Sequence, residues 1–231
     1  MLVSTEGIVL NSIKYGENSQ ISKVYTKKHG LVSIISSSGN KTNQKNRIYF
    51  QALSNIKLIY YYKNENSLHR LKEVGYYDRQ QQSTNEIAAN AIKFFLAEFL
   101  TIIIKEEEES PILYQFLANK LALLNSNNAN YARFHIDFLM DFALYMGIQP
   151  NFNTSGLYFD LKEGQMVNIK PTHNEFLDKE ESKMIKAYLD NQKQSKQERN
   201  IVLNSLISYY QVQIGGLHKL KSREILEVVL S

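Results

Sequence analysis

The 231-residue sequence contains no cysteine. That excludes disulfides, thiolate metal sites and cysteine nucleophiles, and it fits a reducing compartment. No apolar run is long enough to span a bilayer. The longest, residues 94–104, is interrupted by Glu98 and Thr101 and falls short of the ~20 residues a crossing helix needs. The opening MLVSTEGIVL has no basic start and no small-residue cleavage site, so no secretory leader is expected. Phosphate-cradling motifs are missing too: SSSGNKT at 36–42 departs from the Walker pattern because Asn40 separates Gly39 from Lys41. There is no GxSxG elbow, no HExxH helix and no GxGxxG turn. The histidines (His29, His69, His135, His173, His218) are scattered without metal spacing. Asp137 and Asp141 share a helix face, but no second helix brings matching ligands. The expectation is a soluble, cytoplasmic protein that is not an enzyme.

What is present is ordinary in amount and uneven in place. Hydrophobic residues make up 43% and charged residues 22%, as in a globular chain. The net charge of +4 divides sharply. Residues 1–80 hold 12 Lys/Arg against 5 Asp/Glu, whereas the remainder holds 15 against 18. Eight of the 15 tyrosines fall in the same first 80 residues. Cations interleaved with flat rings suit a polyanion whose bases need stacking partners.

Periodicity divides the chain at the same place. Short β-branched and aromatic runs at 3–13, 20–26, 30–36, 54–62 and 68–76, bounded by turn residues, read as five strands. In the fourth, Ile56, Leu58, Tyr60 and Tyr62 share one face, with Lys57, Ile59, Tyr61 and Lys63 on the other. Five strands in a basic segment of this size match the OB-fold barrel, with a small barrel of another type as the competing reading. The polar stretch 36–47 reads as a mobile loop. From about residue 83 the period becomes helical, with expected helices at 83–105 (Ser83 and Glu86 as capping box), 111–124 after Ser110–Pro111, and 131–146 closed by Gly147. A hairpin follows at 157–169, then helices at 176–191, 197–213 and 222–230. The expected fold class is α+β: a basic OB-fold over 1–80, then a mainly helical domain over 81–231 with an inserted hairpin.

Several blocks resemble the bacterial RecO family of recombination and repair proteins. They are EGIVLNSIKYGENSQISKVYTKKHGLVSII (6–35), FQALSNIKLIYYYKNENSLHRLKEV (50–74), MGIQPNF (146–152) with LYFDLKEGQM (157–166), and LISYYQVQIGGLHKLKSREILEVVL (206–230). The resemblance implies a non-enzymatic mediator that binds single- and double-stranded DNA and anneals complementary strands. It further implies work with RecR to help RecA replace single-strand-binding protein, on the nucleoid and without a membrane. Many members carry a four-cysteine zinc site near what are here Asn153–Gly156 and Met166–Ile169. Lacking those cysteines, this chain is expected to need no cofactor and to hold the hairpin by packing of Leu157, Phe159, Met166, Val167 and Ile169.

OB-folds grip strands across one face and the loops after strands one and four. Lys14, Tyr15 and Lys63 fall in those loops. Lys23, Lys57, Tyr61, Arg70 and Lys72 fall on or near strands, and Lys41, Lys45 and Arg47 fall on the long polar loop. Tyr61 is the expected exposed ring, with Tyr60 and Tyr62 in the core. An RNA-binding or translation-associated module, or a scaffold whose barrel binds protein alone, remain the other readings. Reversing Lys41, Lys45 and Arg47 to glutamate should weaken DNA binding and flatten its salt dependence without unfolding the barrel, as read by fluorescence anisotropy and circular dichroism.

Overall fold

The computed structural model describes residues 1–37, 46–64, 67–77, 87–104, 109–126 and 128–230. Two compact units emerge, Met1–Ala129 and Asn130–Ser231. Helices over 87–103 and 111–124 thus group by contact with the strands that precede them.

In the first unit, β1 (Leu2–Tyr15), β2 (Ser19–Thr26), β3 (Gly30–Ser37), β4 (Asn55–Tyr61) and β5 (Leu68–Tyr76) close into a barrel in the order β1-β2-β3-β5-β4. β1 closes it by pairing twice. Its first half, Leu2 to Ile8, runs antiparallel to β4, and Gly7 to Tyr15 runs antiparallel to β2. Only β3 and β5 are parallel, over Ser33–Ile35 and Leu68–Arg70. This is the OB-fold barrel the alternation predicts. Val3, Val9, Val24, Val32, Ile34, Ile56, Leu58 and Tyr60 fill its interior. Gly7 is required there, since a Cβ would lie 2.6 Å from a Val24 methyl carbon. A bulge in β5 leaves Lys72 unpaired between Leu71, opposite Tyr60, and Glu73, opposite Ile59. Leu71 and Val74 therefore both pack on the core while Lys72 and Glu73 both face solvent.

The polar stretch differs from its expected loop at both ends. Ser36 and Ser37 finish β3, and Asn46–Phe50 is a 3₁₀ turn; residues 38–45 lie outside the described residues. Phe50 joins the barrel core, and its carbonyl accepts a hydrogen bond from Ser12 Oγ at 3.0 Å. The Tyr76 hydroxyl donates to the Ile48 carbonyl at 2.9 Å, and the Tyr49 and Tyr76 rings meet edge to face. These contacts anchor the turn that carries Asn46 and Arg47.

Two helices cover the outer side of β1. In α1 (Ile87–Ile103), Thr101 Oγ1 lies 3.3 Å from the Leu10 carbonyl; the expected Ser83–Glu86 capping box lies outside the described residues. Helix α2 (Pro111–Leu124) starts as read, with Ser110 Oγ accepting from the Leu113 amide at 3.2 Å and proline in the first turn. Its Tyr114 hydroxyl donates to Asn55 Oδ1 at 3.1 Å.

The second unit comprises α3 (Tyr131–Tyr145), β6 (Tyr158–Asp160), β7 (Gln165–Val167), β8 (Phe176–Leu177), α4 (Lys179–Leu189), α5 (Lys196–Gln213) and α6 (Ser222–Val229). The hairpin gains a third strand, β8 pairing with β6, where a helix start at 176 was expected. Asp178 is the reason. It caps the Glu181 amide while Glu181 returns to the Asp178 amide, a reciprocal box that fixes α4 at Lys179. Ser195 and Glu198 form the same box on α5, as read. Phe159 and Met166 are buried in the hairpin, but Leu157 and Ile169 are 50% and 84% exposed, correcting their assignment to its packing. Aromatic contacts replace them: Phe159 stacks on Phe152 at 4.3 Å and meets Tyr209 edge to face, and Tyr209 donates to the Ile148 carbonyl at 2.8 Å. Among the described residues, no helix is long and apolar enough to cross a membrane.

His135 is buried on α3, and burial pushes its pKa down to about 4. The unfolded chain then takes up a proton near pH 6.5 that the folded chain refuses until about pH 4, so stability falls as pH drops through that window, by up to about 3 kcal/mol. His69, lowered chiefly by burial, acts in the same direction in the barrel. Urea denaturation followed by helical circular dichroism should show the midpoint falling from pH 7 to pH 4.5, and His135→Leu should remove much of that fall. An equal fall in both proteins would show that another group controls it.

Candidate nucleic-acid interface

Strand register decides which side chains share the outside of the barrel, because directly paired residues lie on the same face. One row runs Ile13–Ile21–Ile35–Arg70–Tyr61–Leu2, crossing every strand in turn. Where it passes Ile35, Arg70 and Tyr61 it borders a cavity of about 670 Å³ lined also by Ser36, Ser37, Asn46, Lys63, Leu68, Leu71 and Lys72. Four of the residues singled out from the sequence, Tyr61, Lys63, Arg70 and Lys72, thus meet in one concavity. Arg47, exposed, adjoins Asn46 on its lip.

Tyr61 is 48% exposed, whereas Tyr60 is fully buried, as the alternation in β4 predicts. Tyr60 is held from behind: its hydroxyl is hydrogen-bonded to His29 Nδ1 at 2.8 Å, and burial raises its pKa to about 12. Tyr62 is half-buried between two imidazoles, stacked on His29 at 4.4 Å and His69 at 5.0 Å. That rigid ring cluster lies under the strand end that presents Tyr61 and Lys63.

Other expected residues approach the cavity along neighbouring rows. Tyr15, 55% exposed, pairs with Ser19 and through it with Ser37 on the outer face, while Lys14 pairs with Gln20 and through it with Ser36 in the row that shares the phase of the core residue Ile34, at the barrel's end. Both belong to β1 itself, not to the loop after it as expected, because β1 extends to Tyr15. Lys23 pairs with Ser33, which pairs with the cavity residue Leu68. Each therefore stands about 10 Å, two strand spacings, from the cavity strand it is linked to. Lys57 stands apart. It faces Glu6 and Gly75 in register, four residues and roughly 13 Å along β4 from Tyr61. Lys41 and Lys45 lie outside the described residues.

Electrostatically the cavity rim is open. Lys72 is 3.7 Å from Glu73, an exposed pair worth little against solvent. Among the described residues, no carboxylate forms an ion pair with Lys14, Lys23, Arg47, Lys63 or Arg70. Sequence reading missed the cavity's apolar and neutral lining. Ile35 and Leu68 sit at outward positions of alternating strands, a signal present in the sequence but identical to that of any half-covered strand face.

The hairpin of the second unit does not fit a zinc ion. Thr154 accepts from the Met166 amide at 3.0 Å, and a Cβ on Gly156 would lie 2.6 Å from the Val167 nitrogen. A hydroxyl and backbone atoms stand there, and a structural zinc site needs thiolate or imidazole donors. Nearby, His173 Nε2 approaches Asp160 at 3.1 Å, and Asp160 also accepts from the Lys162 and Glu163 amides, tying off the turn. Among the described residues, no group of three or more His, Asp or Glu is placed to hold a metal.

Comparison with known proteins gives a consistent result over the whole chain. Residues 1–78 match the family model for the recombination protein O N terminal, and residues 84–224 match that for the C terminal. The DNA repair protein RecO of Flavobacterium johnsoniae is 32% identical over 241 residues, spanning 100% of both chains. Those of Azobacteroides pseudotrichonymphae and Phocaeicola vulgatus are each 29% identical, spanning 99% and 100% of both chains respectively.

Contact with phosphates at the cavity rim would release about 0.7 counterion per phosphate of a single strand. The double variant Lys63→Glu, Arg70→Glu should therefore lower affinity for a single-stranded oligonucleotide at least tenfold at low salt and flatten the log–log salt slope by about 1.4 or more. Lys57→Glu should leave both nearly unchanged. Anisotropy titrations over a salt series check this, and a larger effect from Lys57→Glu would move the binding face to the opposite end of β4.

Proposed function

The chain belongs to the recombination protein O family, and from that premise we propose that it is a non-enzymatic DNA-repair mediator whose barrel binds DNA. The observation that carries the reading is the concave end of the barrel, where Lys63, Arg70 and Lys72 surround an exposed tyrosine. Flexible cations suit phosphates, which demand charge and reach more than fixed geometry, and the guanidinium groups of Arg47 and Arg70 suit stacking as well.

Annealing follows without bond chemistry. Two complementary strands repel through their backbones, and a surface that neutralises both lowers that repulsion while raising their local concentration. Charge neutralisation of this kind consumes no nucleotide, and the sequence carries no phosphate-binding loop to hold one. The helical half, net acidic by sequence, is assigned to protein contacts: RecR, single-strand-binding protein and, indirectly, RecA. Its acidic balance disfavours a second polyanion site and leaves apolar and carboxylate surface for partners.

A fluorescence assay of strand binding and annealing across a salt series, with and without single-strand-binding protein, tests the reading. Annealing should accelerate without added nucleotide, fade as salt rises, and persist on coated strands. Absence of salt-dependent DNA binding, or a preference for structured RNA over single-stranded DNA, would overturn it.

A further inference from the structure

We infer that the cavity between β3, β4 and β5 is a pocket for an unpaired nucleotide, its base stacked on Tyr61 and its phosphates held by the cationic rim. The inference rests on the DNA-binding reading above and deepens it, because it makes one part of the barrel sensitive to whether bases are paired.

Three features of the cavity point the same way. Its volume, about 670 Å³ in a half-open depression, falls within the roughly 300–1,000 Å³ of ligand clefts and leaves room for a base with its sugar. Its lining is divided by chemistry. Tyr61, Leu68 and Ile35 supply a flat ring and aliphatic walls, while Lys63, Arg70 and Lys72 supply charge beside them. Its geometry is fixed by register: Arg70 pairs directly with both Tyr61 and Ile35, so a cation stands one strand spacing from the ring on one side and from an aliphatic wall on the other. A base lying on Tyr61 has its own sugar and phosphate within reach of that guanidinium.

The flanking rows lack this division. Lys14 and Lys23 lie outside the cavity, and Lys23 has Asn11 and Ser33 beside it in register. They suit the backbone of any nucleic acid. A base inside a duplex has both faces covered by its neighbours and its edge taken by its partner, so it cannot enter a pocket built around a ring. Pairing therefore empties the cavity and leaves only the charge contacts.

The test uses the full-length protein and three labelled probes of equal length: oligo(dT), the same phosphodiester chain lacking bases, and a blunt duplex. Oligo(dT) should bind about tenfold more tightly than the abasic chain, the order expected of one stacked base. Tyr61→Ala should abolish that difference while leaving abasic-chain and duplex affinity and the salt slope unchanged, and Tyr61→Phe should retain it. Circular dichroism confirms the fold of both variants, and Tyr61 is exposed enough to be replaced without opening the core. Equal loss on all three probes, or an unchanged ratio in Tyr61→Ala, would overturn the pocket while leaving DNA binding intact. Absence of binding by the unaltered protein to any probe would overturn the underlying reading as well.

Discussion

The double pairing of β1 is the constraint on which the candidate interface depends. One strand of 14 residues serves both β2 and β4, and so closes the barrel and sets the phase of every strand around it. Side chains alternate with period two, so a slip of one residue between β1 and β4 would exchange Tyr60 for Tyr61. The phase is held from inside, where the residues of the apolar core leave no room for an alternative and where Gly7 admits a close approach that any side chain would block. Surface cations gain a common location as a consequence of core packing. Nothing in their own interactions gathers them, since Lys63 and Arg70 make no ion pairs among the described residues.

Much of this was legible. The five strands, the inward set of β4, the exposed ring at Tyr61, and the caps at Ser110 and Ser195 are all local properties that alternation and capping chemistry express within a few residues. Four things were not. The Phe50 turn looked like the end of a polar loop because its anchor is a long-range contact to Ser12. Strand β8 was hidden by the helix that follows it, although Asp178 and Glu181 did mark the helix start. The cavity could not be foreseen at all: it arises where the parallel β3–β5 pairing covers only three residues on each strand, and parallel pairing leaves no local trace in a sequence. Leu157 and Ile169 were assigned to the hairpin's packing from hydrophobicity alone, and such residues are often exposed singly.

The second unit shows how a short hairpin is held in a chain that has no thiolates. A metal fixes a turn by converging several ligands on one point. Here the same restraint is distributed among the Asp160 side chain accepting two amides, the Thr154 hydroxyl clamped to Met166, and a Phe152–Phe159–Tyr209 ring series. Each such contact contributes about 1 kcal/mol, and their sum is less than a structural metal supplies but needs no ligand-bound state to fold.

Charge alone poses a difficulty for any protein that anneals strands. A duplex carries one charge per ~1.7 Å of axis and releases about 0.9 counterion per neutralised phosphate, against about 0.7 for a single strand, so a purely cationic surface favours the product over the substrate. Such a surface would accelerate pairing and then remain on the duplex. Salt cannot correct this, because it weakens both. Only a contact that single strands make and duplexes cannot make reverses the order, and the barrel offers a place for one where an exposed ring and aliphatic walls interrupt the cations. On that reading the rim brings strands together, the ring favours the unpaired state, and formation of base pairs itself weakens the protein's hold on what it has joined.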